Sequence, residues 1–530
     1  MKLTPAPESP TFQHGDEWQS VWGFRCGVSS PGKGKPRASA RGGFTSPRNR
    51  KKDLFDFPVR TRFAPSPTGF VHIGNIYGAM LDYAFAKKHK GGFILRIEDT
   101  DQKRRVDEAE EKIYQGLKWA GLVPDESPEH GGKYGPYRQS ERLEIYQKYA
   151  RQLVDQGDVY YCFCTPKRLE ELRQEQKRKK RLPKYDRLCR KISKKEAEQR
   201  IKNGEKYVIR MKVPDNEKIA VNDLLRGKVV FESNLIDDQV LLKADGFPTY
   251  HLAVVVDDHL MKISHIIRGE EWLSSAPKHV LLYRYLNWQM PVLIHTANLR
   301  NPDRSKMSKR HGHTSLDWYI DQGFLPEALL NFLSLLGWSH PEEKEIFSFD
   351  QFVKLFDLKD LSPVGPVFDL KKLEWMNGVY IRNKADADLV EFLKPFLPEV
   401  AKDKILTAAP LIKERIKTLK EASEILEFVT RKVDYSPDLL LVKGLTKESA
   451  GQMLEKAKAA VDKYGIDVEK LQKEFLKLIK DNNWNTGNFF MVLRTAVCGK
   501  KITPPIIESL PLIGKGETLS RLDLALSKLS

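Results

Sequence analysis

With 530 residues, 41% of them hydrophobic and 10% aromatic, the chain has apolar mass for three or four folding units, which excludes wholesale disorder. Its 89 Lys and Arg against 71 Asp and Glu leave a formal charge of +18, favouring a polyanionic partner such as nucleic acid. The longest apolar stretch, around Leu329–Trp338, is about half the roughly 20 residues of a membrane-spanning helix, so no membrane role is expected.

Residues 1–52 carry ten basic residues against Glu8, Asp16 and Glu17, among many Pro, Gly and Ser. This segment, extended to residue 56, reads as a disordered basic leader. Its early acids and lack of an amphipathic helix favour an upstream extension and a cytoplasmic protein. A mitochondrial or plastid transit peptide is the alternative. Order is expected near Phe57. Val59–Ala64 reads as a strand and Pro65–Val71 as a loop. Ile76, Ala79, Met80, Tyr83 and Ala84 then fall on one helical face. Phe93–Ile97 reads as a second strand, completing a βαβ unit of the kind that builds parallel sheets.

The segment at about 140–250 reads as an insert, holding three of the five cysteines and the run Lys177–Lys195, with eleven basic residues and one acid. His251–Val256 and Ile263–Ile267 read as further strands, each followed by charged residues. Open α/β sheets bind ligands at such strand ends. From about residue 385 strand patterning fades. Leu411, Ile412, Ile416, Leu419, Ala422, Ile425 and Leu426 form one helical stripe, and Val468, Leu471, Phe475, Leu478 and Ile479 another.

Two short motifs could carry chemistry. His72-Ile73-Gly74-Asn75 sits where a strand turns into a helix, and a helix N-terminus suits phosphate. Lys306-Met307-Ser308-Lys309-Arg310 could clamp a polyphosphate and stabilise charge at a transition state. Taken singly, each is as compatible with an ordinary turn or a solvated basic loop.

As a pair, about 230 residues apart, they resemble the signatures of class I aminoacyl-tRNA synthetases. Arg62–Gly69, Arg96–Asp101, Tyr134–Ser140, Tyr250–Ala253, Ile267–Trp272 and Leu493–Ala496 narrow the resemblance to glutamyl-tRNA synthetases over roughly residues 58–530. The resemblance implies an α/β Rossmann-like catalytic domain with an inserted α+β domain, followed by an all-α anticodon-binding domain. The catalytic domain would span 57–384, with Rossmann halves at about 57–139 and 251–305. The acceptor-binding insert would occupy about 140–250, the KMSKR loop and stem-contact region about 306–384, and the helical domain 385–530.

It further implies ATP-dependent joining of L-glutamate to tRNA(Glu), with Mg2+ accompanying ATP, in a monomer; charging of tRNA(Gln) as well is an open alternative. His72, Gly74, Lys306 and Lys309 would be the catalytic residues, His72 and Gly74 holding ATP and the two lysines its phosphates. Ser308 would also bind the nucleotide, and Glu271 and Leu299 would contact its adenosine. Arg62, Ser66, Glu98, Tyr250 and Arg268 would form the glutamate pocket, because a guanidinium fork replaces the hydration that a carboxylate loses. Val254 stands where many relatives have an asparagine, and Asn75 where a histidine is often found. Cys162, Cys164, Tyr185 and Cys189 resemble the Zn2+ site of some bacterial members, three reduced core cysteines being the alternative. Glutaminyl-tRNA synthetases usually carry Pro-Glu-Pro-Asn-Gly where this chain has Ala64–Gly69, and a β-barrel anticodon half. A non-catalytic RNA-binding relative is the other alternative, against which His72, Lys306 and Lys309 speak.

Overall fold

The structure, a computed structural model, describes residues 57–530 except 102, 103, 105, 107, 306, 308–313 and 443. The expected leader and the lysines and serine of the KMSKR motif therefore lie outside the described residues.

Strand Arg60–Phe63 pairs in parallel with Gly92–Leu95, in the register Arg60 to Gly92, across the helix Ile73–Lys88. The expected βαβ unit is present. Ile76, Ala79, Met80 and Ala84 are buried, as the helical periodicity predicts. The peptide N–H of Ser264 donates to the Arg60 carbonyl at 3.0 Å, which brings strand His265–Gly269 beside this unit. That strand pairs in parallel with Val292–Thr296. Arg62, Glu98, Arg268 and Leu299 thus lie at or just beyond the C-terminal ends of four neighbouring strands, where such sheets place ligands.

Residues 251–256 are not a strand. They lie in the helix Tyr250–Leu260, in which every residue from His251 to Asp258 is buried. An apolar run with no polar face carries no period, so it fits a buried helix as well as a buried strand. Thr249, extended at the N-cap, starts the helix, and only tertiary packing distinguishes the two. The consequence is chemical: Asp257 and Asp258 are borne on the last turns of a buried helix instead of on a strand end.

The insert contains an antiparallel sheet ordered Val159–Cys162, Val208–Met211, Val240–Leu242, with the helices Leu143–Gln156, Pro166–Arg178 and Lys194–Lys202. The hairpin Lys218–Asp223 and Gly227–Glu232 leaves it to join the edge of the parallel sheet, Asp223 opposite Leu293. Helices then fill the C-terminal region, and Leu471, Phe475 and Ile479 of Val468–Asp481 point into one core. The first predicted stripe is interrupted. Helix Lys402–Ile412 ends after Pro410, and Ile416 and Leu419 reach the same core from a turn that precedes Glu421–Ile425. The Leu419 N–H donates to the Gly323 carbonyl at 3.1 Å, a bond that a continuous helix would forbid.

Gly323 is the αL cap of helix Leu316–Gln322, with φ +78°. A Cβ there would sit 2.6 Å from the Leu419 Cβ and 2.8 Å from its backbone nitrogen. Gly323→Ala should therefore lose about 2–4 kcal/mol, from left-handed strain together with overpacking. Equilibrium urea unfolding measures it; a loss under about 1 kcal/mol, the cost of αL strain alone, refutes the packing part. Among the described residues no helix is long and apolar enough to cross a membrane.

Candidate active site

The turn after the first strand leads into His72, extended at the N-cap of the first helix (φ −112°, ψ 163°). The Asn75 side-chain oxygen accepts the His72 N–H at 3.1 Å, so the residue found in place of histidine closes the helix end. A Cβ on Gly74 would lie 3.1 Å from the His72 ring, so glycine is what gives the imidazole room at the helix tip. A cavity of about 110 Å³ opens here, lined by Ser66, Thr68, Gly69, His72 and Asn75 among others.

The segment that carries the KMSKR motif is anchored on both sides, at Leu299 and at this helix tip. Met307 N–H donates to the Leu299 carbonyl at 3.1 Å. Beyond the undescribed residues, Ile73 N–H donates to Thr314 O at 2.9 Å and Leu316 N–H to Val71 O at 3.0 Å. His72 and Ser315 form an antiparallel bridge. Leu299 is buried, whereas Glu271 lies exposed on the turn after Gly269, where a Cβ would collide with its carboxylate.

Beneath the cleft lies a buried ion network. Arg62, 4% exposed, donates from Nε to Asp258 Oδ1 at 3.1 Å and from Nη1 to the Ile267 carbonyl at 3.3 Å. Arg96, fully buried, donates to the same Asp258 oxygen at 2.7 Å and to Glu98 Oε1 at 2.9 Å. Asp257 accepts from Arg142 Nε at 2.7 Å, Tyr146 Oη at 2.8 Å and Gln139 Nε2 at 2.9 Å. Burial alone would raise the Asp258 pKa; the two guanidiniums outweigh it and hold the carboxyl below its usual range. For Glu98 burial wins over Arg96, and its pKa is raised. Arg268, on the neighbouring strand, approaches the Tyr250 hydroxyl at 3.4 Å, so the two expected pocket residues meet. Val254 packs in an apolar core on the same helix.

The description "tRNA synthetases class I (E and Q), catalytic domain" matches residues 58–375, and "Anticodon binding domain" matches 388–526. The chain belongs to the class I tRNA synthetases of the E and Q group. It is 45% identical to the glutamate–tRNA ligase of Acidothermus cellulolyticus, across 88% of this chain and 94% of that protein. The glutamate–tRNA ligase of Gloeobacter violaceus is also 45% identical, over 88% and 95% of the two chains. The crystal structure of a glutamate tRNA ligase from Elizabethkingia meningosepticum, in complex with its amino acid, superposes with a TM-score of 0.82 at 36% identity. The match covers 89% of this chain and all of that one. The expected fold class, a class I catalytic domain followed by a helical anticodon-binding domain, is correct.

In this synthetase the four residues expected to bind metal come together. Sγ atoms of Cys162, Cys164 and Cys189 all lie within 4.8 Å of one another, Cys164 and Cys189 being 3.6 Å apart. Tetrahedral zinc with bonds near 2.3 Å sets sulfurs ~3.8 Å apart, so the cluster fits. The Tyr185 hydroxyl lies 3.4 Å from both Cys162 and Cys164 and accepts the Cys189 N–H at 3.1 Å. Arg168 donates to Cys164 at 3.4 Å, and Arg210 lies 4.1 Å from the Tyr185 ring centre, both favouring thiolate. Hydrogen bonds from the neighbouring thiol and phenol pull the Cys162 pKa down to about 4, against burial.

Sequence reasoning missed Arg96, Arg142, Asp257 and Asp258 as parts of the site, and the histidines His279 and His295 beside Arg268. Charged residues embedded in apolar runs were the available signal, since they are almost never fully buried unless paired.

Proposed function

We propose that the chain joins L-glutamate to tRNA(Glu) at the expense of ATP. The observation that carries this reading is the adjacency of a helix-tip cleft, the two anchors of the KMSKR loop and a deep arginine-lined pocket on one sheet edge. The names of the relatives support the amino acid and the tRNA.

Glutamate enters with its carboxylates toward Arg62 and Arg268, its ammonium toward Glu98, and Ser66 and Tyr250 completing the pocket. ATP lies across His72 and Gly74, with Glu271 and Leu299 about its adenosine and Lys306, Ser308 and Lys309 on its phosphates. The glutamate α-carboxylate attacks the α-phosphorus and the α–β bridging P–O bond breaks. Pyrophosphate leaves with that electron pair, and glutamyl-adenylate remains. The terminal ribose hydroxyl of the tRNA then attacks the anhydride carbonyl, AMP departs, and an ester forms. Positioning and charge neutralisation carry the rate. Mg2+ accompanying ATP supplies further neutralisation of the phosphate oxygens.

In this reading residues 57–384 form the catalytic domain, with the insert at about 140–250 against the acceptor arm, and 385–530 read the anticodon in a monomeric, cytoplasmic enzyme. Labelled pyrophosphate should exchange into ATP in the presence of glutamate and tRNA, and not with glutamine in place of glutamate. No exchange with all three substrates present overturns the reading. Charging of purified glutamate and glutamine tRNAs measures the choice of tRNA.

Cys162, Cys164, Tyr185 and Cys189 would hold Zn2+ as a structural site that staples the strand Val159–Cys162 to the turn Leu188–Lys191. Elemental analysis of never-chelated protein should find about one zinc per chain. Cys189→Ser should lose the metal and lower the melting temperature, since metal affinity is folding free energy. Full zinc content in that variant would remove Cys189 from the ligand set.

A further inference from the structure

The two arginines of the amino-acid pocket are held in opposite ways. Arg62 and Arg96 share the carboxylate of Asp258. Among the described residues Arg268 has no carboxylate as a side-chain partner. Its Nε donates to His295 Nε2 at 3.0 Å, and its Nη1 faces His279 Nδ1 at 3.2 Å and Tyr250 Oη at 3.4 Å. Its Nη2 is buried without a partner among the described residues.

We propose that His279 and His295 are positioning residues that fix Arg268 while leaving its charge uncompensated, so that the pocket selects a carboxylate side chain over the matching amide. The proposal rests on the reading of Arg268 as a glutamate-binding residue.

A guanidinium only donates hydrogen bonds, so both facing ring nitrogens must be unprotonated acceptors. The second nitrogen of each ring is committed accordingly. His295 Nδ1 donates to Asp223 Oδ2 at 2.7 Å, and His279 Nε2 donates to His251 Nδ1 at 3.1 Å. Asp223 is itself fixed by the N–H groups of Leu225, Arg226 and His295, each at 3.0 Å. This chain sets each tautomer from the side away from the substrate. The surroundings also oppose protonation. Arg268 and Lys278 bear on His251 and His279, and Arg226 on His295, and among the described residues Asp223 is the acid that faces a ring, that of His295. Burial, then Arg268, pushes the His279 pKa well down, and burial takes His251 to about 3. Two neutral imidazoles therefore hold a full positive charge in place. A substrate carboxylate meets it with both oxygens, whereas an amide offers one oxygen and turns an N–H donor toward a donor.

The test is aminoacylation kinetics with saturating tRNA and ATP. His279→Glu places a carboxylate beside Arg268, and should raise the KM for glutamate by about tenfold or more while kcat stays within about threefold. The preference for glutamate over glutamine in kcat/KM should fall by a similar factor. His279→Gln keeps a neutral acceptor and should stay within about threefold of the parent in both parameters. Asp223→Asn lets the His295 ring adopt the other tautomer, and should raise KM about fivefold without lowering kcat. An unchanged KM in both His279→Glu and Asp223→Asn overturns the proposal, as does an equal rise for Glu and Gln at position 279. If His279→Glu does not fold, Asp223→Asn alone decides. Arg268→Ala separates the two levels. If it leaves KM unchanged, the reading of the pocket itself fails; if it raises KM while the other variants do not, only the role of the histidines fails.

Discussion

Replacing Arg96 by methionine should lower the unfolding free energy by about 3–5 kcal/mol, the range for removing one partner of a buried ion pair. Arg96 is fully buried and bridges Asp258 at 2.7 Å and Glu98 at 2.9 Å, with Asp257 at 3.8 Å from Nε. Methionine fills much of the volume, so the loss is electrostatic: carboxylates remain in a place from which water is excluded. The pH dependence follows in sign. Asp258 has a depressed pKa in the folded protein, so its contribution is present above the unfolded carboxylate value and is lost as pH falls through the folded one. Glu98 has a raised folded pKa, so as an anion it already costs stability at neutral pH, and loss of Arg96 raises that pKa further. The deficit of the variant should therefore be largest at neutral pH and shrink as the medium approaches about pH 5. Adding Glu98→Gln should recover part of it. Denaturant unfolding at the two pH values provides the measurement, and an equal deficit at both would show that buried charge is not its cause.

The second large effect is on catalysis. His72→Ala and Lys309→Ala should each lower kcat for adenylate formation by about 10²–10³, as removal of a preorganised transition-state contact does. The double variant should lose less than the product of the two, because groups acting on one triphosphate fail as a unit. Two independent sites would give the full product. The motive is structural: Thr314, Ser315 and Leu316, just beyond the KMSKR motif, are bonded to the tip of the first helix at Val71–Ile73, while Met307 is bonded to Leu299.

The sequence-based strand at His251–Val256 and the single stripe over 411–426 failed for related reasons. In the first, a helix buried on every side shows no periodicity. In the second, apolar residues at helical spacing reach one core through a turn whose backbone bonds go to Gln322 and Gly323. The amphipathic Val468–Asp481 was legible because one face stays polar, and Ile73–Lys88 because its apolar residues recur at helical spacing.

By itself the sequence determined the βαβ entry, the helical C-terminal region, the family motifs and the spacing of the clustered cysteines. Each is encoded in local spacing and residue type, read along one stretch of chain. Tertiary structure alone decided what stands behind those residues. Arg62 meets Asp258 across 196 positions, Arg96 meets the same acid across 162, and His295 meets Asp223 across 72. A charge or an imidazole has no periodicity, and its counterpart is chosen by which chain segments the core brings together. The difference between a compensated Arg62 and an uncompensated Arg268 therefore exists only in the folded molecule.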